Sequence, residues 1–136
     1  MSTRAGVSDR DIWAYALVGF SVWLSGALNF RLGGKWLFES GPWVTAAVAL
    51  IIALLVCLIF RSTLHWRGTS ETDALSVAVV MLLPGLFGEA LRQIMFHWAT
   101  GLKPATQPAF VASVIFGNGV LMAYALWKQR RARRNS

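Results

Sequence analysis

Apolar residues in this chain gather into four long runs, at about residues 12–30, 43–60, 74–96 and 108–127, with short polar stretches between them. Each run has roughly the 17 to 25 residues needed to cross about 30 Å of hydrocarbon as a helix. Lipid offers the backbone no hydrogen-bond partners, so each span must satisfy its own N–H and C=O groups, and helix is the default. The remaining ends and loops are too short for a separate soluble domain. The pattern therefore predicts an all-α, integral membrane four-helix bundle. It forms one transmembrane domain over residues 1–136, and residues 128–136 form a basic tail. A cleaved signal peptide is the competing reading of the first run. Such an apolar core is typically about 7 to 15 residues long and is followed by small residues at the cleavage site. This run is longer and leads into Asn29, Arg31 and Lys35, so it reads as a true span.

The third run carries the most information. Ala74, Ala78, Met81, Gly85, Gly88 and Arg92 recur at three- and four-residue spacing and share one stripe. Val79, Leu83, Leu86, Phe87, Ala90, Leu91 and Ile94 take the opposite surface. Small residues let helices approach closely in lipid, and bulky ones suit lipid contact. Glu89 borders the small stripe, so both charges face or flank the protein interior. Pro84 lacks a backbone donor and crowds the carbonyl of Val80 one turn earlier, which predicts a kink. Gly85 and Gly88 would admit neighbours beside it.

A rise of about 1.5 Å per residue gives depth. Counted from Asp73, Glu89 lies about 24 Å across and Arg92 about 28 Å. Counted from Ile12 on the first span, Asn29 and Arg31 fall at about 26 and 28 Å. With Gln93 these residues are expected to form a polar layer in the outer part of the membrane. On the fourth span Ser113 falls near that layer and Asn118 near the midplane. Ser113 and Gly117 have the small-xxx-small spacing of close helix contacts.

A carboxylate in hydrocarbon is costly unless it is paired, by a few kcal/mol on insertion scales. Glu89 has two candidate partners, Arg92 three residues on and Arg31 across the bundle. Either pairing would make the layer a structural clasp. The functional alternative makes Glu89 a proton- or cation-coupling acid in an outward cavity. Two arginines around one carboxylate would also leave a net positive pocket able to attract an anion.

Composition sharpens this picture. The chain is 56% hydrophobic and 14% charged, whereas soluble domains average roughly 25% charged residues. The net charge of +7 is unevenly placed. With four spans, both termini and the loop between spans two and three share one side. That side holds nine cations: Arg4, Arg10, Arg61, Arg67, Lys128, Arg130, Arg131, Arg133 and Arg134. The other side holds Arg31, Lys35 and Lys103, with Arg92 near its edge. The positive-inside rule then places both termini in the cytoplasm. The tail "KQRRARRNS" reads as a lipid headgroup contact through Lys128, Arg130, Arg131, Arg133 and Arg134. Nucleic acid is not an expected partner, because no folded recognition module accompanies the arginines. Six of the seven tryptophans fall near span ends or in connections, as amphipathic rings prefer, and Trp23 alone sits well inside a span.

The connections are short. "RLGGKWLFESGPW" reads as a loop broken by Gly33-Gly34 and by Gly41-Pro42. "RSTLHWRGTSETD" carries capping residues that start the third helix near Thr72. "TGLKPATQP" reads as a compact outer loop. No internal repeat is evident, which weighs against an inverted-repeat transporter within one chain.

Motifs for chemistry are missing. His65 and His97 are expected on opposite sides of the membrane. Cys57 is the single cysteine and reads as an apolar filler. The sequence has no Walker loop, no G-x-S-x-G elbow and no H-E-x-x-H. "GNG" at 117–119 lacks the strand that a dinucleotide site needs. No cofactor, no metal and no catalytic residue is expected.

The segments "MLLPGLFGE" with "MFHWATGLKP", then "FGNGVLMAYALW" and "NFRLGGKWL", resemble an uncharacterised bacterial family of small four-helix membrane proteins, a domain of unknown function. Glu89 takes the acidic position of the family pattern, where aspartate is more usual, and Ala125 stands where the pattern has glycine after Tyr124. The resemblance implies the four-span fold and brings no activity. The leading functional expectation is a non-catalytic accessory or helper subunit that packs against other membrane proteins or against itself, in the lipid bilayer. The alternative is a small oligomeric transporter or channel that uses Glu89, Arg92 and Arg31 as an ion- or anion-binding site.

Overall fold

A computed structural model describes residues 7–135. Four long helices follow one another: α1 (Asp9–Phe38), α2 (Pro42–Arg67), α3 (Ala74–Met95) and α4 (Gln107–Arg134). Single 3₁₀ turns at Glu71–Asp73, His97–Thr100 and Pro104–Thr106 fill the later connections. Each of the four is long and apolar enough to cross a membrane, and the chain is a small multi-pass membrane protein.

Local chemistry explains the helix ends. Ser8 caps α1 by accepting from the Asp11 backbone N–H at 3.3 Å, and Asp9 and Asp11 suit the positive end of the helix dipole. Pro42 opens α2 in the first turn, where its missing N–H costs nothing. Gly68 closes α2 in the left-handed region at φ 62°, and Thr69 N–H reaches back to Leu64 C=O at 3.2 Å. That six-to-one bond marks the Schellman ending, which favours glycine there. Ser70 then caps the turn that leads into α3, accepting from Thr72 N–H at 3.3 Å.

The first connection differs from the sequence expectation. Gly33 and Gly34 do not break the chain, because α1 runs through them to Phe38. Glycine costs a helix roughly 1 kcal/mol relative to alanine, but an unpaired backbone group in lipid costs several. Gly34 also has a packing role. A Cβ there would lie 3.4 Å from the Phe30 side chain and 3.8 Å from Leu102. The turn is left to Ser40 and Gly41, the latter at φ 119°. At the opposite end of the chain the basic tail continues as helix, since α4 extends to Arg134.

Three reversals bring α1 onto α3 and α2 onto α4, with α3 and α4 sharing a further seam. Tyr15, Phe60, Leu64, Val77, Ala78, Met81 and Leu121 bury themselves near the end that holds the start of α1 and the close of α4. Cys57 packs half-buried against them. Polar ties fasten that end. Tyr15 shares a hydrogen bond with Thr69 across the bundle, Arg67 Nε donates to Asp11 at 3.1 Å, and Lys128 pairs with Glu71. Lys128 is therefore turned toward its own bundle rather than outward as the sequence suggested. Arg130, Arg131, Arg133 and Arg134 are exposed, and the Arg131 guanidinium lies 5.5 Å from the Trp127 ring centre. Arg4 falls outside the described residues.

At the other end Phe30, Phe38 and Phe110 pack with ring centroids 5.1 to 5.5 Å apart. Lys103 meets Glu39 at 3.3 Å above them. On α3 the split of faces is plain. Ala74, Ala78, Met81, Glu89 and Arg92 are buried, and Val79, Leu83, Leu86, Phe87, Leu91 and Ile94 are exposed. Trp13, Trp36, Trp43, Trp66, Trp98 and Trp127 are exposed as well. Helix α3 passes through Pro84 as one element.

Candidate functional site

Spacing of three and four residues on α3 puts Glu89, Arg92 and Gln93 side by side. Arg92 clasps the carboxylate with the side of its guanidinium. Nε donates to Oε2 at 3.1 Å, and Nη2 donates to Oε1. Gln93 Nε2 adds a third bond to Oε1 at 3.1 Å. Glu89 and Arg92 are each only 9% exposed, so the pair is withdrawn from both lipid and water. Phe110 of α4 closes the guanidinium from one face, with its ring centre 4.8 Å from Cζ, a cation–π contact. One corner stays unused. Arg92 Nη1 is buried and has no hydrogen-bond partner among the described residues.

The pairing question left open by sequence is thus resolved locally. Glu89 meets Arg92 and not Arg31. Successive helix positions turn by about 100°, and Phe30 is the α1 residue that faces inward at this level, within the aromatic cluster. Asn29 and Arg31 flank Phe30 and are turned aside to opposite flanks. Asn29 is exposed and returns its Nδ2 to Ser25 C=O on its own helix at 2.8 Å. Arg31 is exposed and reaches Trp98 C=O at 3.5 Å. The expected five-residue layer therefore divides. Glu89, Arg92 and Gln93 form a joined cluster, Asn29 stands apart, and Arg31 approaches from outside. Arg31 and Arg92 do share the wall of one pocket of about 280 Å³ with Trp98, Thr100 and Phe110.

Below the clasp, all four helices surround a cavity of about 120 Å³. Glu89, Asn118 and Trp23 are its polar contributors, among Phe30, Met81, Leu121 and other apolar side chains. Trp23 Nε1 is buried there without a hydrogen-bond partner among the described residues. Gly117 borders the same cavity, and a Cβ on it would meet Ile52 at an ordinary 3.6 Å. Ser113, one turn away and buried, donates to Ala109 C=O at 2.9 Å.

Gly85 and Gly88 make room for Trp23. A Cβ at Gly85 would lie 3.3 Å from the Trp23 side chain, and one at Gly88 would lie 2.8 Å from its ring. Replacing Gly88 with alanine is expected to destabilise the bundle by about 1 to 3 kcal/mol, the usual cost of overpacking. Thermal unfolding in detergent measures this. Adding Trp23→Leu should recover part of the loss, and no recovery would show that the ring is not the obstacle.

Three residues escaped the sequence reading. Phe110 sits at a span end and gave no sign of cradling a guanidinium. Trp23 was visible as a lone mid-span ring and Gly85 and Gly88 as room for a neighbour, but not that the ring fills that room. Gly19 is the third. A Cβ there would lie 1.8 Å from the Met81 carbonyl oxygen, so α1 and α3 touch backbone to backbone at this point. Gly19, Gly26 and Gly34 along α1 were the available signal for a small-residue side.

Residues 37–131 match the family described as "Family of unknown function (DUF5367)", and the chain belongs to that family. The matched segment takes in α2, α3 and α4 with Glu89, Arg92, Gln93 and Phe110, while Trp23 and Arg31 lie before it. No curated protein and no solved structure matches the chain.

Proposed function

We propose that this protein is a non-catalytic membrane helper or accessory subunit, which works by packing its helices against other membrane helices or a second copy of itself. The observation that carries the reading is the state of Glu89. Its carboxylate accepts from Nε and Nη2 of Arg92 and from Gln93, all on its own helix, so its charge is spent on an internal clasp. A coupling acid needs a free face toward a pathway. The adjoining cavity of about 120 Å³ and its mainly apolar wall favour packing over passage. Orientation follows from charge: the end bearing Arg61, Arg67 and the α4 arginines lies in the cytoplasm of a bacterial inner membrane by the positive-inside rule. Pro84 bends α3 just below the clasp by removing one ladder bond.

The test uses Glu89→Gln. Folded protein in membranes is expected to fall, and proteoliposomes of the wild type should show no ion or solute flux above empty vesicles. A wild-type flux that the variant loses while folding normally would overturn the helper reading in favour of a small transporter.

A further inference from the structure

The clasp leaves one arginine corner unused, and a second arginine stands beside it. Side-on engagement of Glu89 occupies Nε and one hydrogen of Nη2, so the end of the Arg92 guanidinium still carries donors at Nη1 and Nη2. Nη1 is the buried nitrogen without a partner. Arg92 borders the pocket of about 280 Å³ whose wall also includes Arg31. Arg31 takes part in none of the ion pairs among the described residues, which are Arg67–Asp11, Arg92–Glu89, Lys103–Glu39 and Lys128–Glu71. Its guanidinium is instead laid over the turn after α3. Nη1 is 3.5 Å from Trp98 C=O, and 3.0 Å from where a Cβ on Gly101 would stand. Gly101 adopts φ 69°, so glycine serves both the turn and the room for Arg31. Two guanidiniums set against one carboxylate leave this corner with one positive charge in excess.

We propose that the pocket between Arg31 and Arg92 binds a phosphate group. Guanidinium forks match phosphate oxygens in geometry as well as charge. The pocket's size approaches the lower end of small-ligand sites, about 300 Å³. Its wall also includes exposed Trp98 and Leu28, and tryptophan rings favour the headgroup layer, where phosphate is abundant. The same chemistry can come from an anionic lipid headgroup or from free phosphate, and the two sources are separable. The inference rests on the pocket and stands apart from the helper reading, since the Glu89 clasp is complete without it.

Full-length protein in mild detergent is titrated with short-chain phosphatidylglycerol, with diacylglycerol lacking the phosphate, and with inorganic phosphate, while the unfolding midpoint is followed. Phosphatidylglycerol is expected to raise the midpoint saturably and diacylglycerol to leave it flat. In Arg31→Gln half-saturation should move at least about tenfold higher, as for loss of a bidentate charge-assisted contact. Arg31 is exposed, so this variant should match the wild-type midpoint without ligand. Lys35→Gln removes an equal charge from the same end of α1 and should titrate as wild type. An Arg31-dependent response to inorganic phosphate alone supports the site and assigns free phosphate as its ligand. No saturable response to either phosphate source, or equal responses in wild type and Arg31→Gln, would overturn the proposal. So would an equal weakening by Lys35→Gln.

Discussion

Gly19→Ala is expected to lower the stability of the bundle by about 3 kcal/mol, the upper end of the range for an overpacked contact. The added methyl would stand 1.8 Å from the Met81 carbonyl oxygen and 2.6 Å from its carbon. Both are backbone atoms of a neighbouring helix, so no rotamer change can relieve the clash. The helices must separate, and separation loosens Trp23 from Gly85 and Gly88 as well. Gly26→Ala on the same helix is the comparison, because a Cβ there meets nothing within 4 Å. It should be neutral, or stabilising by up to about 1 kcal/mol from the better helix propensity of alanine. Unfolding of both variants in the same detergent checks the pair. Similar stabilities would refute the close α1–α3 contact.

Glu89→Gln carries the other large effect. The variant keeps the shape of the side chain and removes its charge, which leaves Arg92 buried without a counter-ion. Breaking a buried pair in this way costs about 3 to 5 kcal/mol. The lower figure is expected here, because the glutamine carbonyl can still accept one bond from Arg92. Phe110 offers only a partial substitute, and Nη1 already lacks a partner. The measurement is the loss of unfolding free energy in detergent, alongside folded yield in membranes. A change below about 0.5 kcal/mol, the usual scatter for surface positions, would mean that the clasp contributes nothing.

The spans were legible because hydropathy acts over 20 residues at a time and tolerates local exceptions. The faces of α3 were legible for a related reason: small and bulky residues alternate there with helical period, and lipid exposure follows it. The first loop was misread because Gly33-Gly34 punctuates water-soluble chains, where freed backbone groups find water. Near a membrane the same pair stays helical, and Gly34 alone supplies room for Phe30 and Leu102. The polar layer was half legible. Depth placed Asn29, Arg31, Glu89, Arg92 and Gln93 at one level, but depth carries no azimuth. Phe30 takes the inward direction on α1, and that choice turns its two neighbours away from Glu89. For the Gly19–Met81 contact the glycines of α1 offered only the hint of a small-residue side, since the contact itself depends on how two backbones cross and not on either pattern alone.

The clasp itself is tested most directly by a double-mutant cycle on Glu89→Gln and Arg92→Gln, with unfolding free energies measured for both single variants and the double. Each single change strands a buried charge or its donors, whereas the double removes both charges together. The double variant should therefore lose less than the sum of the singles, with a coupling of about 1 to 3 kcal/mol. Additivity to within about 0.3 to 0.5 kcal/mol would contradict the clasp and return Glu89 to the role of a free intramembrane acid.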